Sequence, residues 1–322
     1  MKRIAVLTSG GDAPGMNAAV RAVTRAADAA GVEAFAVQDG YSGLINGELR
    51  PLTARDVSGI LHLGGTMLGT ARSTEFRSVE GRRKGIEHLE RHGIEGLIVV
   101  GGDGSFHGAE ALSQESDVHV VGVPGTIDND LSGTDFTLGF DTAVNTALEA
   151  IDRIRDTASS HGRLFFIEVM GRHTGWIALY SGLAGGGTDV LIPEQPTEVE
   201  AIRKRIREGF SIGKRFCLII VAEGGEAGGA FAVADRITEG TDFDFRVSAL
   251  GHMQRGGAPS MRDRVLGALL GDAAVRALLD GANRVMVGEQ GGEVVHVPLQ
   301  ETWEVVEPTP PRLMELMDRL AR

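Results

Sequence analysis

Ser9-Gly-Gly-Asp-Ala-Pro-Gly15, Gly101-Gly-Asp-Gly-Ser105 and Pro124-Gly-Thr-Ile-Asp-Asn-Asp130 are glycine-rich turns, each placed after a short β-branched run. Glycine removes the Cβ that would keep backbone N–H groups away from phosphate oxygens, and a helix opening after the turn adds the positive end of its dipole. One such turn alone reads as an ordinary βα connection; three together, with carboxylates among them, point to phosphate chemistry. Moving a phosphoryl group requires a base for the acceptor proton and positive charge around the moving group. Asp128 is the candidate base, with Asp130 two residues on to raise its basicity and orient it; the same D-N-D tripeptide also forms Asx turns. Asp103, framed by glycines, is placed to hold Mg²⁺ through water, since that ion dehydrates reluctantly. Arg72, in Gly69-Thr-Ala-Arg-Ser73, and Arg172, in Val169-Met-Gly-Arg-His173, follow glycine turns from which a side chain can reach inward, although each alone also fits a solvated arginine. In Leu250-Gly-His-Met-Gln-Arg-Gly-Gly257, His252 and Arg255 are three apart. That spacing suits a clamp on an anion, and equally a histidine filling a turn.

The common nucleotide signatures are absent from the sequence. No G-x-x-x-x-G-K-[ST] occurs, Gly102-x-Gly104 lacks the third glycine of a dinucleotide turn, and there is no protein-kinase catalytic loop. The site is a different solution to the same chemistry.

The elements that must position these turns are legible in the pattern. Strands are predicted over 3–9, 32–37, 96–100, 118–123, 164–169, 190–193, 215–221, 244–249 and 284–287. Between them, apolar residues at helical spacing, such as Val144, Leu148, Ile151 and Ile154, or Leu266, Leu269, Leu270 and Leu278, predict helices. Strands alternating with helices imply α/β architecture with parallel, doubly wound sheets covered on both faces, whose carboxyl edge collects the turns. A boundary is predicted near Gly139, where a long helix opens with Asp141 and Thr142 as cap candidates. The stretch from Glu307 through Pro308, Pro310 and Pro311 reads as a linker into a closing helix.

At 322 residues the chain is long enough for two lobes of roughly 150 residues. A net charge of −12 disfavours a nucleic-acid binder. The only cysteine, Cys217, lies in the apolar run FCLIIV, which excludes an intrachain disulfide and reads as core in a reducing compartment. The apolar stretch of MKRIAVLTSGGD is too short for a secretion signal and no stretch approaches a membrane span, so a cytoplasmic location without membrane association is expected.

The motifs TSGGDAPGMNA, GGDGS, PGTIDND, ALEAIDRIRDTASSH, EVMGR and LGHMQRGG, in this order and over almost the whole chain, resemble the bacterial ATP-dependent 6-phosphofructokinases. The resemblance implies two doubly wound, Rossmann-like domains with mostly parallel sheets. An ATP-binding domain would comprise 1–138 and about 252–305, and a fructose 6-phosphate-binding domain 139–251 and about 306–322. It also implies transfer of the γ-phosphoryl group of ATP to the sugar's 1-hydroxyl, with Asp128 as general base helped by Thr126 and Asp130. Gly11, Arg72, Ser73, Arg77, Arg82, Gly102, Gly104 and Ser105 would meet the nucleotide, Asp103 would serve Mg²⁺, and Arg172 would stabilise the transferring phosphoryl. Met170, Gly171, Glu223, His252 and Arg255 would bind the sugar phosphate. Arg163 and Arg246 would reach a neighbouring subunit's site, which makes a homotetramer the expected assembly.

Relatives that use pyrophosphate carry Asp where Gly104 stands and Lys where Gly125 stands, so glycine at both positions favours ATP. NAD kinases and diacylglycerol kinases share GGDG but lack the EVMGR and LGHMQRGG clusters, and a catalytically silent sensor would be expected to have lost Asp128 or Arg172. For a second site taking ADP or phosphoenolpyruvate, the resemblance assigns Arg21, Arg25, Arg155 and Lys214. The match there is incomplete. Ala54 stands for a usual arginine with Arg55 adjacent, Gly59 for an aspartate, Thr188 for a glutamate with Asp189 adjacent, and Ile212 for a lysine. A weaker effector response than is usual for the family is therefore expected.

Overall fold

Contacts in the computed structural model, which describes residues 1–161, 163–225, 228–304 and 309–320, divide the chain into two units. The first is Met1–Thr142 with Arg255–Glu307 and the second Ala143–Gln254 with Pro308–Arg322. In chain order the strands are β1 (Arg3–Thr8), β2 (Glu33–Val37), β3 (Leu49–Leu52), β4 (Gly96–Gly101), β5 (His119–Thr126), β6 (Leu138–Gly139), β7 (Leu164–Val169), β8 (Asp189–Leu191), β9 (Cys217–Ala222), β10 (Phe245–Ala249), β11 (Val285–Gln290) and β12 (Glu293–Pro298). The helices are α1 (Met16–Ala29), α2 (Gly40–Asn46), α3 (Val79–Arg91), α4 (Asp103–Gln114), α5 (Phe140–His161), α6 (Trp176–Ala184), α7 (Val199–Ser211), α8 (Gly229–Thr238), α9 (Met261–Leu279), α10 (Glu301–Glu304) and α11 (Pro311–Leu320).

The first unit's sheet runs β12-β11-β5-β4-β1-β2-β3, with β6 beside β5. Its interior pairs are parallel and its two outermost pairs, β2 with β3 and β11 with β12, are antiparallel. β1, β4 and β5 are buried almost throughout, as strands covered on both faces must be. On one face Ala5, Leu7, Leu97 and Val99 pack with Leu44 of α2, Leu89 of α3, and Phe106 and Leu112 of α4. The second unit's sheet, β10-β7-β9-β8, is entirely parallel, and Leu164, Phe166, Ile219 and Val221 pack with Ile202 and Ile206 of α7 and Val233 and Ile237 of α8. Cys217 is buried in β9, as its apolar surroundings predict.

The edges β3 and β12 are not among the predicted strands. β3 contains Pro51, which donates no ladder hydrogen bond and is tolerated because the strand lies at an edge; β12 is half exposed and follows β11 through the Gly291–Gly292 turn. The long helix predicted after Gly139 is α5, but the acceptor at its start is not local. Asp263 Oδ1 accepts from Gly139 N at 2.8 Å, and Oδ2 accepts from Thr142 N at 2.9 Å and from the Thr142 hydroxyl. Glu307 and Pro308 of the predicted linker lie outside the described residues; the closing helix is α11. Among the described residues, no helix is long and apolar enough to cross a membrane.

Candidate active site

β5, β4 and β1 lie side by side and parallel, so the three glycine turns meet at one sheet edge. An ideal Cβ on Gly10 would lie 3.3 Å from Ser105 Oγ, one on Gly101 2.5 Å from the same oxygen, and one on Gly102 3.4 Å from Thr126 Cβ. The turns are in mutual contact, and α4 opens among them, with Ser105 N and Phe106 N donating to Gly102 O at 2.9 and 3.1 Å. At its first position Asp103 carries a buried Oδ1 with no hydrogen-bond partner among the described residues. His107 Nε2, one turn along, approaches that oxygen at 3.1 Å, and its ring lies 4.0 Å from Trp303.

Asp128 is buried; its N–H donates to Thr126 Oγ1 at 3.2 Å, and the Thr126 hydroxyl donates to Asp130 Oδ1 at 3.4 Å. Asn129 between them has φ +51°. Its Oδ1 accepts from Thr137 N at 2.8 Å, its Nδ2 donates to Asp135 O at 3.3 Å, and the Thr137 hydroxyl donates to Thr126 O at 2.6 Å. The asparagine thus does the turn-forming work that the tripeptide allows, holding the loop in which both aspartates sit.

Cations surround this edge unequally. Arg255 lies on the first turn, where its Nη1 donates to Asp12 O at 3.2 Å and stands 2.4 Å from where a Gly11 Cβ would be, so any side chain at 11 would displace it. The segment leading to exposed Arg72 is tied down by the Thr8 hydroxyl donating to Gly69 O at 2.7 Å and the Thr70 hydroxyl donating to Gly10 O at 2.8 Å. Ser73 Oγ accepts from Phe76 N at 3.2 Å, and Arg77 is exposed. Arg82 is engaged elsewhere: it forks onto the Glu115 carboxylate at 2.9 and 2.7 Å and donates to Arg77 O at 2.8 Å, so it shapes the turn bearing Arg77. Tyr41, which sequence reasoning missed, stacks on Phe76 at 4.0 Å and donates to Ser105 O at 2.6 Å; burial pushes its phenol pKa far up, so it remains a donor. Nothing in its local sequence marks it.

In the second unit, Met170-Gly-Arg172 follows β7, Glu223 follows β9, and exposed His252 follows β10, three neighbouring parallel strands. Met170 N donates to Gln254 Oε1 at 2.8 Å and Arg172 N to Glu223 Oε1 at 3.1 Å. Gln254, fully buried, was overlooked although it stands between the two residues singled out in its motif. Arg163 and Arg246 share one carboxylate, that of Asp244, at 3.0 and 2.6 Å.

The family model for phosphofructokinase matches residues 3–278. The chain is 57% identical over 304 residues, 94% of each sequence, to a Thermus thermophilus protein named ATP-dependent 6-phosphofructokinase 1. The chain belongs to the phosphofructokinase family. To the Bacillus pumilus ATP-dependent 6-phosphofructokinase it is 58% identical over 296 residues, 92% of each. A solved phosphofructokinase from Saccharomyces cerevisiae superposes with a TM-score of 0.90 at 39% identity, covering 100% of this chain and 48% of the yeast one.

Gly104 and Gly125, the two glycines expected to discriminate the donor, differ in surroundings. A Cβ on Gly104 would meet nothing within 4 Å, whereas one on Gly125 would press on Met16 Cε and Val100 Cγ1 at 3.1 Å. Of the effector candidates, Arg21 (partly exposed), Arg25 and Arg55 (both exposed) belong to the first unit, and Arg155 and Lys214 to the second. Arg155 Nη2 lies 3.2 Å from where a Gly186 Cβ would be. Thr188 is buried and its Oγ1 accepts from Leu218 N at 3.3 Å. Asp189 is held by Arg205, whose Nε donates to Oδ2 at 2.8 Å; burial nevertheless raises its carboxyl pKa more than the arginine lowers it. Its carboxylate is thus already engaged within the protein. Ile212 is 74% exposed.

Proposed function

We propose that this chain transfers the γ-phosphoryl group of ATP to the 1-hydroxyl of fructose 6-phosphate, giving fructose 1,6-bisphosphate and ADP, the committed step of glycolysis. The reading is carried by the convergence of three glycine turns on one sheet edge around a buried Asp128, in a chain whose relatives at 57 and 58% identity are named for this reaction. Asp128 takes the proton as the hydroxyl oxygen attacks the γ-phosphorus and the bond to the β–γ bridging oxygen breaks. Thr126 orients it by accepting its N–H and bonding Asp130. Gly11, Gly102, Gly104, Ser105, Arg72, Ser73 and Arg77 bind the nucleotide, and Arg82 contributes by fixing the turn that carries Arg77. Arg72 and Arg172 balance charge on the moving phosphoryl. Met170, Gly171, Glu223 and His252 bind the sugar phosphate. Arg255 joins them by exchanging its bond to a neutral carbonyl for a stronger one to phosphate.

The Oδ1 of Asp103, which makes no hydrogen bond among the described residues and has His107 Nε2 beside it at 3.1 Å, fits a hard divalent cation, and Asp103 would hold Mg²⁺ there. When bound, Mg²⁺ neutralises charge on the donor's phosphate oxygens. The open space at Gly104 supports ATP over pyrophosphate, because a Cβ there would meet no protein atom within 4 Å and glycine leaves that space to the donor. A homotetramer, with Arg163 and Arg246 serving a neighbouring subunit, completes the reading, together with an ADP or phosphoenolpyruvate site at Arg21, Arg25, Arg55, Arg155 and Lys214.

The test is a coupled assay crossing ATP and pyrophosphate with several sugar phosphates, run on wild type and Asp128→Ser. Removal of the base should cost about 10²–10⁴-fold in kcat, more if positioning is lost as well. A nearly unchanged rate, or equal turnover with pyrophosphate, would overturn the assignment.

A further inference from the structure

Arg172 has φ +56°. Left-handed backbone outside glycine is tolerated best by asparagine and aspartate, whose side chains bond locally. Among the described residues the other non-glycine cases are Asp39, Asn129 and Arg284. Arg284 is fixed in a strand connection by its own backbone bonds to Val120 O and Leu299 N. Among the described residues Arg172 has no such ladder. It sits in an exposed turn after β7, next to Gly171 at φ +144°, and a residue kept in a sparsely populated conformation at a functional turn needs something to hold it.

Two consecutive residues after β9 do so. Glu223 Oε1 accepts the Arg172 N–H at 3.1 Å, and Glu223 is itself registered on β7 by donating its N–H to Val169 O at 2.9 Å. Gly224 supplies the space. Although it is exposed, an ideal Cβ there would fall 1.6 Å from Arg172 O and 2.8 Å from Arg172 C. No rotamer change relieves that clash, because both atoms are backbone. On the near side of the turn, Met170 N is anchored to buried Gln254. With Met170 fixed, an intruding Cβ at 224 forces apart the Gly224 and Arg172 backbones, and any share of that movement taken by Arg172 changes the direction in which its side chain leaves.

We propose that the Glu223–Gly224 pair is the positioning element for Arg172, with Gly224 admitting the arginine's carbonyl and Glu223 capturing its N–H, so that the guanidinium is aimed before substrate arrives. Neither residue touches the reacting atoms in this role, and the proposal rests on the reading that Arg172 acts on the transferring phosphoryl.

The experiment is a double-mutant cycle read as kcat and as KM for each substrate. Gly224→Ala should lower kcat by about 100-fold, the scale of a misplacement near 1 Å, with KM for ATP moving little. In the Arg172→Ala background the same change should cost less than about threefold, because no guanidinium is left to misdirect. An equal loss in both backgrounds, or no loss in either, overturns the proposal while leaving Arg172 in the reaction. A fully active Arg172→Ala would instead remove Arg172 from the mechanism, and the proposal with it. If Gly224→Ala does not fold by circular dichroism, the test moves to Glu223. Glu223→Leu, which lacks the acceptor, should fall at least about tenfold in kcat below Glu223→Gln, which keeps an oxygen, and the gap should close in the Arg172→Ala background. Identical kcat for the two would overturn it.

Discussion

At the residue scale the proposed preference for ATP rests on a missing side chain. Gly104 points its absent Cβ into open space, so Gly104→Asp can be built without disturbing the protein and would act only on what binds there. A carboxylate in that space faces phosphate charge, and like-charge juxtaposition costs several kcal/mol. Gly104→Asp is expected to reduce kcat/KM for ATP at least roughly 100-fold while the urea midpoint stays unchanged, in steady-state kinetics paired with unfolding curves. Gly125→Lys carries no such promise, since its Cβ already meets Met16 and Val100. Residue types alone marked Asp103, Asp128, Arg72 and Arg172, because phosphoryl transfer needs carboxylates and cations at glycine turns. They did not reveal that Arg82 is spent on Glu115, or Asp189 on Arg205, because a charge's partner depends on where the chain returns in space.

At the scale of elements, Asp263 ties the start of α5 to the first turn of α9. Asp263 lies in the first turn of α9, where Ser260 Oγ accepts its N–H at 3.2 Å, and its carboxylate takes the N–H groups of Gly139 and Thr142 at the start of α5. Asp263→Ala would strand two buried backbone donors and the Thr142 hydroxyl at about 1–3 kcal/mol each, so a loss of at least about 3 kcal/mol is expected in urea unfolding. The pH dependence has a definite sign. Burial raises the Asp263 pKa above its ordinary 3.8, outweighing the bonds from Thr142 and Gly139. The native state then holds this proton more tightly than the unfolded chain, so the stability Asp263 contributes is complete below 3.8 and declines as pH rises through the folded value. The gap between wild type and Asp263→Ala should accordingly widen as pH is lowered from 7 toward 4. Periodicity was enough to predict α5 and α9. The carboxylate that caps α5 is separated by 121 residues from Thr142, and no local window could contain it.

At the scale of the whole molecule, the proposed effector response is expected to be weaker than is usual for the family. Without a carboxylate at 188, with Asp189 taken by Arg205, and with alanine and isoleucine at 54 and 212, the effector candidates keep fewer charges than the pattern provides. Ile212 is 74% exposed, so Ile212→Lys costs no packing and restores one charge-assisted contact of about 1.5–3 kcal/mol. Sugar-phosphate saturation curves at graded phosphoenolpyruvate should show weak inhibition in wild type, and inhibition at least about tenfold tighter in Ile212→Lys. Tight, strongly cooperative inhibition of the wild type would contradict this. Sequence alone determined the α/β class, the parallel interior strands and the phosphate chemistry of the three turns. Each of these is written in residue types within a few positions of one another: β-branched runs, glycine after a strand, a carboxylate beside it. The tertiary structure decided which strands are edges, which carboxylates are already paired, what caps α5, and that Gly224 makes room for Arg172. Those depend on contacts between residues such as 16, 51 and 124 positions apart, and burial and hydrogen bonding across such separations exist only once the chain has folded.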